Sequence, residues 1–312
     1  MMRKAHIHSS IDRASTPATR SLGATSFCWR LRVFIVAAIA TSSFAAAPAP
    51  TTSPATASAK VNEPADKPTP RLRNGTTDNG WIGIHNRLVT TAKGGNIDLY
   101  FEGDSITDYW GRNSAAQPYK GNFDKHFAGW NAGDFGVAAD RTEHVLWRIT
   151  NGELDGVKPK VIVLLIGTNN LPKDQGVYAP KTPAEDAAGV KAILDVMRQK
   201  QPQAKILLIS VFPREDKISA ANPDYKEDLK PKVKELNALL AKFDDGKQIK
   251  FLDIYGKFLD AEGKLLPGTF ADRLHPTEKG YDIWAEAMDP ILTEWLGPRA
   301  STANAPASAP AK

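Results

Sequence analysis

The sequence predicts a three-layer α/β/α sandwich built on a five-stranded parallel sheet. Three observations carry this. Apolar runs of strand length alternate with helical stripes, two of those runs are almost wholly apolar, and the alternation fills one stretch between two Pro/Ala/Ser/Thr-rich ends. A chain of 312 residues suffices for one sizeable domain of this kind.

Taken in order, residues 1–32 carry Arg3, Lys4, Arg13, Arg20, Arg30 and Arg32 against one acid, Asp12. The apolar run Val33 to Ala40 follows and fades into small residues up to Ala47. A basic start, a short apolar stretch and small residues read as a signal peptide over 1–47, so the protein is expected to be exported, periplasmic or secreted. The run is well short of the ~20 residues that span a bilayer, and no stable membrane span is expected. Removing 1–47 takes six of the 40 Lys/Arg and one of the 35 Asp/Glu, leaving 34 of each. The net charge of +5 therefore belongs to the leader, and a basic nucleic-acid surface has no support. The single cysteine, Cys28, also lies in the leader, which excludes thiol chemistry from the mature chain.

Residues 48–74 are expected to be a disordered linker, because the Pro/Ala/Ser/Thr-rich run over 48–70 has almost no large apolar residue to offset its ordering entropy. The tail 298–312 has the same composition. One domain is expected over 75–297. Its candidate strands are 97–102, 131–135, 161–166, 206–211 and 249–254, with VIVLLI and ILLISV apolar enough to be buried on both faces. Thr182-Pro183-Ala184-Glu185 is a capping box that opens a helix ending near Pro202. Val233, Leu236, Leu239, Leu240 and Phe243 form the next stripe. Tyr281, Trp284, Ala285, Met288, Ile291, Leu292 and Trp295 form the last, with a bend expected at Pro290. Right-handed crossovers between five such strands favour the order 2-1-3-4-5, as in flavodoxin-like folds.

Ligands of open α/β sheets bind outside the carboxyl ends of the strands. Gly103-Asp104-Ser105-Ile106-Thr107 follows the first strand, Gly136 to Thr142 the second, and Gly167-Thr168-Asn169-Asn170 the third. Asp272-Arg273-Leu274-His275-Pro276 lies beyond the fifth. A serine hydroxyl needs an imidazole to take its proton, and a carboxylate three residues before that imidazole can orient it. Ser105, His275 and Asp272 suit these roles, with Pro276 expected to set His275 at the start of the last helix. Oxyanion donors are available in the Ser105 N–H, an N–H of the Gly136–Ala139 turn, and the Asn169 amide. Each motif alone has a plainer meaning, a turn for Gly-Asp-Ser or a cap for Asn-Asn. What outweighs the plainer meanings is their joint order at successive strand ends. His85 and His144 lie among apolar neighbours and are assigned to packing. PREDK (213–217) and YKEDLKPKVK (225–234) read as solvated surface. No nucleotide-binding glycine motif and no metal-ligand cluster is present in the sequence, so neither cofactor nor metal is expected.

At these residues the chain resembles the SGNH (GDSL-type) hydrolase family. The stretch Asp140 to Arg148 with Asn151-Gly152-Glu153-Leu154 is most similar to its platelet-activating-factor acetylhydrolase subgroup and bacterial relatives. The resemblance implies ester hydrolysis without a cofactor, with nucleophile Ser105, acid Asp272, base His275, and an oxyanion hole of Ser105, Ala139 and Asn169. Ala139 stands where the family has glycine, which is tolerable at negative φ and strained at positive φ. Ile106, Thr168 and Leu274 are implied to crowd the acyl pocket and favour acetyl or other short-acyl esters, on an acetylated carbohydrate or small lipid. Two alternatives remain: a catalytically silent glycan-binding protein on the same fold, and a phosphate or nucleotide binder using the helix start after Asp104.

Overall fold

In a computed structural model, residues 60–300 are described, apart from 113, 174–175, 216 and 219–225. The expected leader, residues 48–59 of the expected linker and residues 301–312 lie outside the described residues.

Five strands form the central sheet: β1 (Leu99–Gly103), β2 (Ala132–Asp134), β3 (Val161–Leu165), β4 (Lys205–Ile209) and β5 (Ile249–Leu252). Their order is β2-β1-β3-β4-β5 and every pairing is parallel, matching the expected order. Strand periodicity divides the core in two. Tyr100, Ile162, Leu164, Ile206 and Leu208 face one apolar cluster, and Leu99, Phe101, Val163, Leu207 and Ile209 face the other. The first cluster is closed by α1 (Asn79–Lys93), α4 (Thr142–Arg148), α5 (Pro183–Lys200) and α6 (Lys230–Leu240). The second is closed by α2 (Ser105–Gly111), α3 (Lys120–Phe127) and α7 (Glu278–Leu296). Both layers follow from the alternation read in the sequence. The capping box opens α5 as expected, with Glu185 accepting from Thr182 N–H at 2.8 Å. Pro290 lies inside α7, which continues through it.

Four expectations need correction. Residues 60–74 are not a free linker: Ala65 is buried, Thr69 N–H donates to Glu143 C=O at 3.1 Å, and Val61 N–H donates to Val177 C=O at 2.7 Å. Composition missed this because main-chain hydrogen bonds, which need no large apolar side chain, fasten the segment. The start of the expected tail is also held, since Arg299 pairs with Asp289 at 2.9 Å and Ala300 N–H donates to Gly129 C=O. Helix α7 begins at Glu278 with Thr277 as its cap, so Pro276 precedes the helix. His275 is placed instead by a short antiparallel contact, in which Ala271 N–H donates to His275 C=O at 2.8 Å. Finally, Arg214 and Glu227, taken as solvated surface, are both buried. Their burial depends on contacts far away in sequence, which a local charge pattern does not register.

Candidate active site

The end of β1 feeds directly into α2. A Cβ on Gly103 would collide with Thr107 Oγ1 and with Leu165 C=O, so only glycine allows the strand, the helix and β3 to meet this closely. Asp104 caps α2 by accepting from Ile106 N–H at 2.9 Å. Ser105 is then the first residue of the helix, with an N–H outside the helical ladder. Its Oγ lies 2.9 Å from His275 Nε2, and His275 Nδ1 lies 2.7 Å from Asp272 Oδ2. Asp272 Oδ1 also accepts from the His275 N–H at 2.8 Å and from the Leu274 N–H at 3.2 Å. Partial burial raises the Asp272 pKa, but these hydrogen bonds outweigh it and hold the carboxyl below its ordinary range. The Tyr109 ring packs 4.8 Å from the imidazole. Such a relay can move a hydroxyl proton onto Nε2 while the carboxylate stabilises the resulting imidazolium.

The turn after β2 approaches the same point. A Cβ on Gly136 would strike Asp108 N and Thr107 Cβ, which places the turn against α2. Ala138 N–H donates to Asp108 Oδ2 at 3.1 Å, and Asp140 N–H donates to Val137 C=O at 3.1 Å. Between them Ala139 is exposed and has φ of 65°, and its N–H has no acceptor among the described residues. The tolerance expected for alanine at negative φ therefore does not apply. Left-handed backbone costs a residue with a Cβ roughly 1–2 kcal/mol, because the Cβ crowds its own carbonyl.

Asn169 and Asn170 have separate duties. Asn170 Nδ2 donates to Thr142 Oγ1 and Glu143 Oε2, and its Oδ1 accepts from Thr142 N–H, so it fastens the start of α4. Asn169 Nδ2 donates to Asp140 C=O at 2.9 Å and lies 3.5 Å from Asp104 Oδ2, which joins the three strand-end blocks. Burial pushes the Asp104 pKa up to about 7, partly offset by the Ile106 N–H and the Arg214 charge.

Two buried guanidinium groups that the sequence did not assign to the site support this loop. Arg214 Nη1 donates to both the carbonyl and the hydroxyl of Thr168 at 3.0 Å, and Arg141 Nη1 donates to Asn169 C=O at 3.1 Å. Arg214 stands in an ordinary-looking charge run, and no local signal distinguishes it. Arg148, inside the stretch that carried the resemblance, is fully buried against Asp140 at 2.7 Å, Glu102 at 2.6 Å and Glu153. Trp81 Nε1 also donates to Asp140, at 2.7 Å. His144 is buried with its pKa pushed down by desolvation, in keeping with a packing role. His85 does more than pack: its ring nitrogens lie 2.8 Å from Glu153 Oε1 and 3.1 Å from the Asn151 carbonyl. Of the three expected acyl-pocket residues, Ile106 is buried in the second apolar cluster and Leu274 packs partly buried against it. Thr168 is buried apart from that cluster, on Arg214.

Among the described residues, no group of three or more His, Cys, Asp or Glu is placed to hold a metal ion. None of the helices there is long and apolar enough to cross a membrane. A surface cavity of about 340 Å³ lined by Lys125, His126, Glu286, Asp289, Pro290 and Arg299 shares no residue with the site.

A parallel sheet carrying a serine at the first strand end, an Asn at the third and an Asp-x-x-His pair after the fifth defines an acylhydrolase class. Residues 101–283 match the GDSL-like Lipase/Acylhydrolase family, and the chain belongs to it. It is 36% identical over 220 residues to rat platelet-activating factor acetylhydrolase IB subunit alpha2, covering 70% of this chain and 86% of the relative. It is 29% identical over 234 residues to the human alpha1 subunit, covering 75% and 91%. A GDSL-like lipase of Bacteroides thetaiotaomicron has the same fold, with a TM-score of 0.54 at 20% identity over 67% of this chain and 97% of that one.

Proposed function

We propose that the protein is an exported serine esterase that hydrolyses short-acyl esters, acetyl esters foremost. The observation that carries this reading is the relay from Ser105 Oγ through His275 to Asp272, with contacts of 2.9 and 2.7 Å. Ser105 Oγ attacks the ester carbonyl carbon as its proton passes to His275 Nε2. The carbonyl oxygen becomes an oxyanion, held by the Ser105 N–H, the Ala139 N–H and the Asn169 amide. Collapse expels the alcohol, which takes the proton from His275, and leaves an acyl-enzyme. Water then attacks that ester, giving its proton to His275, and the acid departs as Ser105 recovers its hydrogen.

Acetyl preference draws on the names of the mammalian relatives, which are acetylhydrolases, and on Ile106 and Leu274, which share the second apolar cluster; Thr168 is turned to Arg214 instead. The ester substrate is an acetylated carbohydrate or a small lipid. Export rests on the composition of residues 1–47, and a mature N terminus near residue 48 in periplasm or medium tests it.

The test of the activity is p-nitrophenyl acetate hydrolysis by wild type and Ser105→Ala, with fluorophosphonate labelling located by mass spectrometry. Turnover and labelling at Ser105, both lost in the variant, are expected. Faster kcat/KM on octanoate than on acetate overturns the short-acyl assignment. The strained Ala139 favours one second reading, a silent glycan-binding protein, which a folded wild type with neither turnover nor label would support.

A further inference from the structure

Among the described residues, the side chain that grips the Ala138 carbonyl comes from outside the family-matched region. Arg71 lies thirty residues ahead of it, in the 60–74 segment fastened to the domain. Its Nη1 donates to Ala138 C=O at 2.6 Å and lies 3.8 Å from Asp140 Oδ1. The guanidinium is itself steadied by Asp78, 3.5 Å from Nε, and Asp78 N–H donates to Arg71 C=O at 2.8 Å.

The Ala138 carbonyl and the Ala139 N–H belong to one planar trans peptide unit and point in opposite directions. Whatever fixes the carbonyl therefore fixes the N–H. Alanine at φ of 65° is under pressure to turn this unit over, which would bring Ala139 to negative φ and swing its N–H away. The Ala138 N–H is anchored on Asp108 and the Asp140 N–H on Val137, but neither bond belongs to the 138–139 peptide unit. The Arg71 contact does. A cation on the carbonyl oxygen also polarises the peptide and strengthens its N–H as a donor.

We infer that Arg71 is a positioning residue for the oxyanion hole: it locks the 138–139 peptide so that the strained Ala139 presents its N–H to the reacting ester. The inference rests on the esterase reading for its kinetic consequence but not for its structural one. It makes the 60–74 segment a working part of the site, and it explains how alanine serves at a position suited to glycine.

The test uses the full chain with Arg71→Met, Arg71→Lys and Arg71→Gln, each alone and with Ala139→Gly. Two quantities are read: kcat and KM on p-nitrophenyl acetate, and the ¹⁵N–¹H resonance of residue 139. R71M is expected to lower kcat about tenfold with KM within about twofold, the size of one strained residue's preference. R71K, which keeps a charged donor, recovers most of that loss. In the A139G background the strain is gone, so the R71M loss shrinks below about threefold. The Ala139 resonance shifts or broadens in R71M. R71Q, which keeps a donor and loses the charge, replaces R71M in every comparison if that variant does not fold. An R71M enzyme with kcat within twofold of wild type and an unmoved Ala139 resonance overturns the inference, as does an equal loss in both backgrounds. Absence of Ser105-dependent turnover in wild type overturns the esterase reading instead, and the Ala139 resonance still decides the role of Arg71.

Discussion

Asp272 grips His275 twice, through the ring Nδ1 at 2.7 Å and through the main-chain N–H at 2.8 Å, while 58% of its own side chain stays exposed. The two contacts set the direction of the imidazole. Water screens the carboxylate charge, so its electrostatic share is smaller than that of a buried triad aspartate. Asp272→Asn is expected to lower kcat by about 10–10², well below the ~10⁴ of a buried case. His275→Ala should cost more than Asp272→Asn. Steady-state kinetics on p-nitrophenyl acetate check both, and a loss beyond 10³ for Asp272→Asn would contradict the screening argument.

Asn169 donates to the Asp140 carbonyl and lies against Asp104, so its amide is held before any substrate arrives. Preorganised donors of this kind stabilise developing charge without reorganising at the moment of reaction. Asn169→Ala is expected to lower kcat by about 10²–10³ with the fold intact. A loss under threefold removes Asn169 from the oxyanion role.

The left-handed Ala139 should respond to glycine. Ala139→Gly relieves the Cβ clash and is expected to stabilise the protein by about 1 kcal/mol, raising Tm by about 2–4 °C for a domain of this size. Calorimetry of the two proteins side by side checks this. An unchanged or lower Tm means that the surroundings already accommodate the methyl group.

Asp104 makes stability depend on pH. Burial raises its folded-state pKa to about 7, against about 3.9 in an unfolded chain, so the folded state holds the proton more tightly. The resulting stabilisation is fully present below the unfolded value and is lost as pH rises through about 7. Asp104→Asn keeps an oxygen for the Ile106 N–H but cannot ionise, and should flatten the decline between about pH 4 and 7. Urea unfolding across that range decides it, and parallel curves for the two proteins would remove Asp104 as a source of the slope.

Much of this protein is determined by its sequence alone. Alternating apolar faces and capping signals are local properties, so the parallel sheet, its strand order and helix α5 are all legible from residues near one another. Ser105, Asn169, Asp272 and His275 are legible too, because the sheet delivers every strand end to one rim. Tertiary structure decided the rest. The positive φ at Ala139 lies in a turn held by bonds to Asp108 and Val137 and by Arg71, which reaches the Ala138 carbonyl from 67 residues away. Arg214 and Arg141 reach the Thr168–Asn169 loop across 46 and 28 residues of sequence. The fastening of residues 60–74 works through main-chain hydrogen bonds, which composition does not encode. Side-chain type and spacing select the elements and the reacting groups. The directions of peptide planes and the fate of charged side chains are set by contacts between segments distant in the chain.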